Sequence, residues 1–201
     1  MNYQQLQELV ARYTKRADVA DLIPDWIRFA QLRIDTDCRL SEQEFRSVTI
    51  PTAGFISLPP DFIELRNIQT TYYGSLALQY LSPAQLDDYG RSLKSGPVQF
   101  YTIMDNQLQL LPAPQADSEA VMEIFYYAKQ APFSQNADTS PVLDAYPNLY
   151  LYATMVEAMP FFENAAGSQR WDQMYTELRN TLNTRAQAAR YSGDTKQMRA
   201  G

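Results

Sequence analysis

Two pairs of neighbouring carboxylates are the side chains in this sequence best suited to acid–base chemistry. Asp35 and Asp37 lie two residues apart, and Asp87 and Asp88 are adjacent. Two acids held close together can separate their pKa values, so that one donates a proton and the other accepts it. Residues two apart on a helix do not face each other, so Asp35 and Asp37 are predicted to lie on a solvated helix edge. Asp87 and Asp88 are predicted to be exposed on a short polar helix. Neither pair has a companion nucleophile or base.

The composition excludes most other kinds of catalytic or metal site. Without histidine, the chain cannot hold a serine triad or an imidazole metal site. Cys38, as the single cysteine, can form neither an internal disulfide nor a thiolate metal cage, and its apolar helical surroundings predict a core position. The seven glycines are scattered, which excludes the standard glycine-rich phosphate loops. We therefore expect no catalytic residue, no cofactor and no metal, and hence no enzyme.

Fourteen tyrosines supply aromatic surface that could stack on nucleic-acid bases or on sugars. They cluster at Tyr72–Tyr73, at Tyr126–Tyr127 and at Tyr146, Tyr150 and Tyr152. The chain is acidic, with a net charge of -6, and basic residues are not interleaved with these clusters. Packing in the core or between subunits is therefore the favoured interpretation.

The overall composition is that of a folded, soluble protein. With 201 residues, of which 45% are hydrophobic and 12% aromatic, the chain can form one generous domain or two small ones. It has no apolar run of about 18 residues, the length that spans a membrane. Its first residues, MNYQQLQELVARYTKR, are polar and amphipathic. We expect a soluble, unexported chain with no membrane partner.

Helical periodicity occurs at both ends of the chain. A short amphipathic helix is predicted first, followed by a longer one over Asp21–Leu40. Residues 142–162 are apolar almost all round, which is typical of a central helix or of a helix sandwiched between subunits. Pro160 should kink or end this helix. The last helix is predicted to begin near Ser168.

Between these helices the pattern changes to that of strands. Short β-branched and aromatic runs alternate with turn residues from Arg46 onward. Ser82 before Pro83 predicts the cap of one short helix, and Asp105–Asn106 predicts a hairpin turn. Several strands are apolar on both faces, so they need cover from a second sheet, from the helices or from a neighbouring subunit.

These patterns predict an α+β fold, in which the N- and C-terminal helices form a helical bundle with a central antiparallel β-rich insertion. The predicted divisions are residues 1–44 for the N-terminal helices, 45–130 for the β-rich insertion with a short helix near 83–92, 131–190 for the C-terminal helices, and 191–201 for a basic flexible tail.

Charge is distributed unevenly along the chain. Residues 1–99 carry 12 acidic and 10 basic side chains, a net of -2. Residues 100–169 carry 8 acidic side chains and one basic, a net of -7, whereas residues 170–201 carry 6 basic and 3 acidic, a net of +3. An acidic chain of this kind is not designed mainly to bind the phosphates of nucleic acid.

The basic C-terminal stretch is the most asymmetric feature of the sequence. Arginines near the end of a helix can simply complement the helix dipole. Because the charge continues past the predicted helix, an arm that docks into an acidic groove on a partner is an equally good interpretation. The candidate docking residues are Arg185, Arg190, Lys196 and Arg199.

The order of these features resembles the head-to-tail adaptor, or connector, proteins of tailed bacteriophages, over nearly the whole chain. No catalytic signature carries the resemblance, which depends on the order and spacing of several phrases. In chain order these are RIDTDCRL, ISLPPDFIELRNI, LSPAQLDDY, GPVQFYTIMDNQLQLLPAP, EAVMEIFYYAKQAP, YPNLYLYATMVEAMPFF and RWDQMYTELRNTL, followed by the basic tail.

This resemblance implies a structural virion protein, assembled in the host cytoplasm, that forms a ring of subunits, commonly twelve. The ring would dock below the portal protein of the capsid, bind a downstream tail or nozzle protein, and let double-stranded DNA pass without sequence-specific binding during ejection. Members of the family often reach the portal with the C-terminal segment, and Arg185–Arg199 occupy that position by analogy.

The acidic middle of the chain suits a DNA channel, because carboxylates repel phosphates and would let the DNA slide. We therefore expect the channel to be faced by Asp105, Asp117, Glu119 and Glu123.

Three other functions remain open from the sequence. The chain could be another virion ring component, such as a tail-completion or nozzle-type protein. It could be a small module that binds carbohydrate or peptide through its tyrosine-rich β region. A hydrolase using carboxylates alone would depend on Asp87 or Asp88.

Overall fold

Helices from both ends of the chain enclose a central run of strands in the sequence. The structure is a computed structural model that describes residues 1–70, 76–114, 121–163 and 165–191. It divides into a helical unit, Met1–Gln43 with Lys129–Gly201, and a β unit, Glu44–Ala128. The predicted α+β fold, with terminal helices flanking a central sheet region, is confirmed.

The helical unit contains five α-helices within its described residues. They are α1 (Tyr3–Thr14), α2 (Ile23–Asp37), α4 (Pro141–Ala145), α5 (Pro147–Ala158) and α6 (Ala165–Tyr191). Short 3₁₀ turns occupy Ala17–Leu22, Ser41–Gln43 and Met159–Phe162. Asn2 and Gln5 form a reciprocal capping box that begins α1.

Helix α5 lies at the centre of this unit. It packs against α1, α2 and α6, and its buried residues occur on every side of the helix. An interior helix has no solvated face, which explains why its sequence shows no polar stripe. Leu149, Tyr150 and Ala153 are completely buried in the core of the unit. The central position expected for this segment is confirmed.

Two helix boundaries differ from those predicted. The apolar segment 142–162 is broken at Tyr146, whose φ of -134° and ψ of 64° are not helical. A residue that precedes proline is disfavoured in the helical conformation, and Pro147 begins the next helix. The other difference is at α2, which starts at Ile23 and stops at Asp37 because Cys38 has an extended backbone. Pro160 lies in the 3₁₀ turn that follows α5, so the predicted end of that helix is confirmed.

The β unit contains two four-stranded sheets. One has the order β1-β8-β3-β4, formed by Glu44–Thr49, Met122–Ala128, Phe62–Thr70 and Leu76–Ala77. The other has the order β2-β7-β6-β5, formed by Phe55–Ser57, Gln107–Leu111, Phe100–Met104 and Gln79–Tyr80. All described pairs are antiparallel except the two-residue pair of β5 with β6, which is parallel. The predicted antiparallel β-rich insertion is confirmed.

One hydrophobic core joins the two sheets of the β unit. Met122, Ile124 and Tyr126 of β8 point into it, together with Leu108 and Leu110 of β7. The other face of β8 carries Glu123, Phe125 and Tyr127, as strand alternation requires. The second sheet therefore covers the face of β8 that carries Met122, Ile124 and Tyr126.

Local turn chemistry places the remaining elements as predicted. Ser82 caps α3 (Pro83–Ser92) in a reciprocal capping box with Gln85. Asp105 and Asn106 have φ values of 54° and 59° and connect β6 to β7 in a tight hairpin.

Gly54 is a position where only glycine fits. Its φ is +84°, and a Cβ atom there would lie 2.8 Å from the Cβ of Ala113. Its carbonyl oxygen also accepts a hydrogen bond of 2.8 Å from the backbone N–H of Leu110. The turn between Thr52 and Phe55 thus holds β2 beside its neighbour β7 in the same sheet.

We expect Gly54→Ala to lower the free energy of unfolding by about 1–3 kcal/mol, because of both the backbone strain and the close contact. Gly90→Ala is the matched control. Gly90 lies inside α3, where an added Cβ meets only an ordinary 3.6 Å contact with Leu111. Alanine there should stabilise the helix by up to about 1 kcal/mol. Urea unfolding of both variants tests the opposite signs, and equal effects would contradict this account of Gly54.

Candidate functional site

Asp35 lies at the end of α2 and is buried, with 7% of its surface exposed. Its carboxylate accepts hydrogen bonds from the backbone N–H of Gln130 (3.3 Å) and from the side-chain amides of Gln130 (3.2 Å) and Gln43 (3.3 Å). The prediction that Asp35 is a solvated surface residue was therefore wrong. Gln43 and Gln130 are the residues beside which the chain leaves and returns to the helical unit.

The bonds continue from Gln130 into the core. Its side-chain oxygen accepts hydrogen bonds from the hydroxyls of Tyr150 (2.7 Å) and Ser140 (2.8 Å). The Ser140 oxygen in turn accepts the N–H of Leu143 and caps α4. We call these residues the Asp35 cluster: Asp35, Gln43, Gln130, Ser140 and Tyr150. Burial outweighs the hydrogen bonds and raises the pKa of Asp35. These hydrogen bonds connect α2 with α4 and α5, so the cluster has a structural role.

Asp37 has a different role, because it connects α2 to α6. Its carboxylate accepts a hydrogen bond of 3.0 Å from the hydroxyl of Tyr175 and lies 3.5 Å from the Arg179 guanidinium. Its backbone oxygen accepts a hydrogen bond of 2.9 Å from the side-chain amide of Asn183. With a quarter (25%) of its side chain exposed, Asp37 is not fully solvated either. Asp35 and Asp37 point to different partners, so they do not form an acid–base pair.

The second carboxylate pair has the exposure that was predicted. Asp87 and Asp88 are both exposed on α3, and Asp88 lies 3.7 Å from Arg91 of the same helix. Among the described residues, no group of three or more acidic or cysteine side chains could hold a metal ion. Both carboxylates are therefore solvated, as predicted.

The single cysteine and three of the five described clustered tyrosines are buried. Cys38 is completely buried, as predicted, and burial raises the pKa of its thiol to about 12. Tyr126, Tyr127 and Tyr150 are buried as well. Tyr72–Tyr73 lie outside the described residues. Tyr126 packs in the core of the β unit, and Tyr150 packs in the core of the helical unit.

Of the four candidate docking residues, Arg185 has a described side chain, and it is exposed on α6. Arg190 lies in the last turn of α6, but its side chain is outside the described part of the structure, as are Lys196 and Arg199. Arg179, which precedes Arg185 on the same helix, forms an ion pair of 3.5 Å with Asp37. Arg185 is therefore the first basic residue on this part of α6 that faces solvent. The docking role itself stays a prediction.

The four candidate channel residues have contrasting surroundings. Asp105 is exposed at the tip of the β6–β7 hairpin. Glu123 is only 9% exposed. It accepts a hydrogen bond of 2.8 Å from the side-chain amide of Gln69 and forms an ion pair with Arg46. Those partners, Gln69 first, lower the pKa of Glu123. Asp117 and Glu119 lie outside the described residues. Asp105 and Glu123 are in different sheets, and the channel role stays a prediction for all four.

A groove in the helical unit was not predicted from the sequence. It has a volume of about 560 Å³ and lies between the end of α1, α5 and the start of α6. We call it the aromatic groove; its lining includes Tyr13, Tyr152, Met159, Phe162, Trp171 and Met174. Each wall looks like an ordinary core stripe in the sequence. Only the assembled helices reveal that the stripes leave an open space.

The arrangement as a whole is typical of a structural assembly protein. Its buried carboxylates connect chain segments, and its open groove is lined by aromatic rings, methionines and one arginine. No helix in the described part of the chain is long and apolar enough to cross a membrane.

Comparison with known families agrees with this class. The sequence model of the family described as SU10 adaptor protein matches residues 1–199, and the chain belongs to this family. It is accordingly a bacteriophage adaptor protein, a structural component of the virion that associates with other head or tail components. A search of curated proteins found no match.

We expect Asp35→Ala to lower the free energy of unfolding by about 3 kcal/mol, because it leaves the buried amides of Gln43 and Gln130 without an acceptor. Asp87→Ala removes an exposed aspartate and should change stability by less than about 0.5 kcal/mol. Chemical denaturation of both variants provides the measurement. Equal stability of the two would mean that the Asp35 cluster does not hold the helical unit together.

The pH dependence of stability gives a second check. Since the folded pKa of Asp35 is raised, its protonation stabilises the fold fully below the unfolded pKa of about 3.9, and this stability is lost as pH rises through the folded pKa. The stability of wild type relative to Asp35→Asn should therefore fall as pH is increased from about 4. Glu123→Gln should show the opposite slope, because the folded pKa of Glu123 is lowered. Parallel curves for the two variants would contradict the assignment.

Proposed function

We propose that this adaptor forms a ring, of about twelve subunits in the manner of related connectors, docked below the portal protein. Its lumen would form part of the DNA channel, and its far side would bind the next tail or nozzle protein. The observation that supports a ring most directly is the exposed apolar surface. Phe29, Leu32, Phe45, Val48 and Ile50 are each at least half exposed, although both units have complete cores of their own. Apolar surface of this kind is typical of protein contacts.

The C-terminal end of α6 is the proposed portal-docking segment. Arg179 is held by Asp37, so Arg185 is the first solvent-facing arginine of the segment. Arg190, Lys196 and Arg199 continue the positive charge along the sequence. A basic segment of this kind complements an acidic groove on the portal and would increase the rate of its capture.

Asp105 is the channel-facing residue that the described geometry supports best. It is exposed on a short, well-defined hairpin, so an assembled ring could present it repeatedly to passing DNA. Glu123 would contribute less repulsion, since Arg46 compensates its charge. Asp117 and Glu119 remain part of the proposal on sequence grounds alone. Repeated carboxylates without cations would prevent the phosphate contacts that slow DNA movement.

Docking can be tested with capsids of the phage that carry the portal but lack the adaptor. We expect the full chain to add a ring of density below the portal in electron micrographs. A chain shortened by residues 186–201 should fail to bind, and Arg185→Glu should weaken binding about tenfold. Lys94→Glu, at an exposed site after α3, is the matched control and should bind normally.

The outcomes distinguish the possible virion roles. Binding that survives the truncation would overturn the docking segment but keep the ring. If the full chain binds purified tails and not the portal, the protein is instead a tail-completion or nozzle-type ring component. If it binds neither, the ring proposal itself is wrong.

The channel proposal makes a separate prediction. In the assembled ring, Asp105 should line the lumen, and Asp105→Lys should slow DNA ejection by adding one cation per subunit to the DNA path. The slowing should diminish as salt concentration is raised. Asp21→Lys, at another exposed site, should leave ejection unchanged. A position of Asp105 on the outer rim of the ring would end this proposal.

A further inference from the structure

The aromatic groove of the helical unit has the character of a binding site for an aromatic anchor. Tyr13 at its edge is 50% exposed, although its ring contacts Trp171 with 5.7 Å between centroids. Three methionines, Met155, Met159 and Met174, line the rest. Flexible methionine side chains adapt to an inserted group, and aromatic walls supply large contact area. A ligand of this groove therefore needs one large, preferably aromatic, side chain.

The rim of the groove adds positive charge. Arg170 lines it and is exposed, and the Arg16 guanidinium lies 5.6 Å from the centre of the Phe162 ring. Arg16 also pairs with Asp18 in the free subunit, so Arg170 should contribute more to an incoming acid. A segment that complements this groove therefore carries one aromatic side chain and two neighbouring carboxylates, one for each arginine.

Helix α3 of the β unit presents this combination. Tyr89 is 50% exposed, and Asp87 and Asp88 before it are exposed too. Leu86 is the buried residue that anchors the helix, and the Tyr89 ring rests against Phe100 at 5.4 Å. The β unit therefore holds this helix with Asp88 on the side opposite Leu86 and with Asp87 and Tyr89 on its two flanks. Within the described part of the chain, Asp88 of this acidic pair lies 3.7 Å from Arg91 of its own helix.

We propose that α3 of one subunit docks into the aromatic groove of the next, with Tyr89 as the anchor and Asp87 and Asp88 facing Arg170 and Arg16. The proposal deepens the ring function and rests on it. Two different patches on one chain form a heterologous contact, which is the kind that closes a ring. The tip of the β6–β7 hairpin, where Met104 precedes Asp105, is the alternative ligand for the groove. It offers one carboxylate and no aromatic ring, so α3 fits better.

Charge reversal with rescue tests the contact. Asp87→Lys/Asp88→Lys should raise the concentration needed for ring formation on portal-bearing capsids about tenfold or more, since it sets like charges against each other. Arg16→Glu/Arg170→Glu should have the same effect, and combining both pairs should restore assembly. All four positions are exposed, so folding should be retained, as circular dichroism can verify. Asp21→Lys serves as the neutral control.

A cysteine cross-link locates the contact directly. Asp88→Cys combined with Arg170→Cys should, under mild oxidation of assembled rings, give a ladder of covalent multimers on denaturing gels. Each single variant should give dimers at most. Cys38 will not interfere, because it is completely buried and its thiol pKa is raised to about 12. A second cysteine pair, Met104→Cys with Arg170→Cys, tests whether the β6–β7 hairpin occupies the groove instead.

The results separate this proposal from the ring on which it rests. Wild-type rings that form normally, with no rescue and no ladder from the α3 pair, would overturn the α3 contact and leave the ring intact. A ladder from the Met104 pair would assign the groove to the hairpin instead. If wild-type chain forms no ring on portal-bearing capsids, the ring function fails first.

Discussion

The rest of the structure depends on one buried carboxylate, because it binds the chain at both points where the β unit is inserted. Asp35 accepts from Gln43 just before the strands begin and from Gln130 just after they end. Burying a charge is costly unless nearly every lone pair is used. The raised pKa of Asp35 records that cost, and the bonds to both glutamines offset it. Asp35 thereby fixes the two chain segments that precede and follow the β unit to the end of α2.

Local sequence patterns were enough to predict most helices and strands, but not the hydrogen bonds of Asp35. Ser82 and Asp105–Asn106 act through neighbours within a few residues, so capping and turn chemistry identified them. The partners of Asp35 lie 8 and 95 residues away, and two-residue spacing on a helix gives no hint of them. The break at Tyr146, by contrast, was visible in principle, since Pro147 follows it. The aromatic groove is a property of three packed helices and has no sequence signal of its own.

Helix α6 shows how one element can serve both the core and the surface. Its first half supplies Tyr175 and Arg179 to the end of α2, where Asp37 binds both. Further along, Arg185 is exposed and Leu182 still packs against the core. The helix is 27 residues long, so it can be anchored at one end and free to meet a partner at the other. The same division separates arginines that stabilise the fold from arginines available to another protein.

The burial of Cys38 bears on the life of the particle outside the cell. A virion can wait a long time in aerated water before it meets a host, and exposed thiolates there are oxidised step by step to acids that cannot be recovered. Oxidants and disulfide exchange act on the thiolate, and this thiol is both completely buried and very weakly acidic. With no other cysteine in the chain, the subunit has no thiol through which ageing particles could become cross-linked. Oxidative damage to the subunit would then fall on other residues, such as exposed methionines.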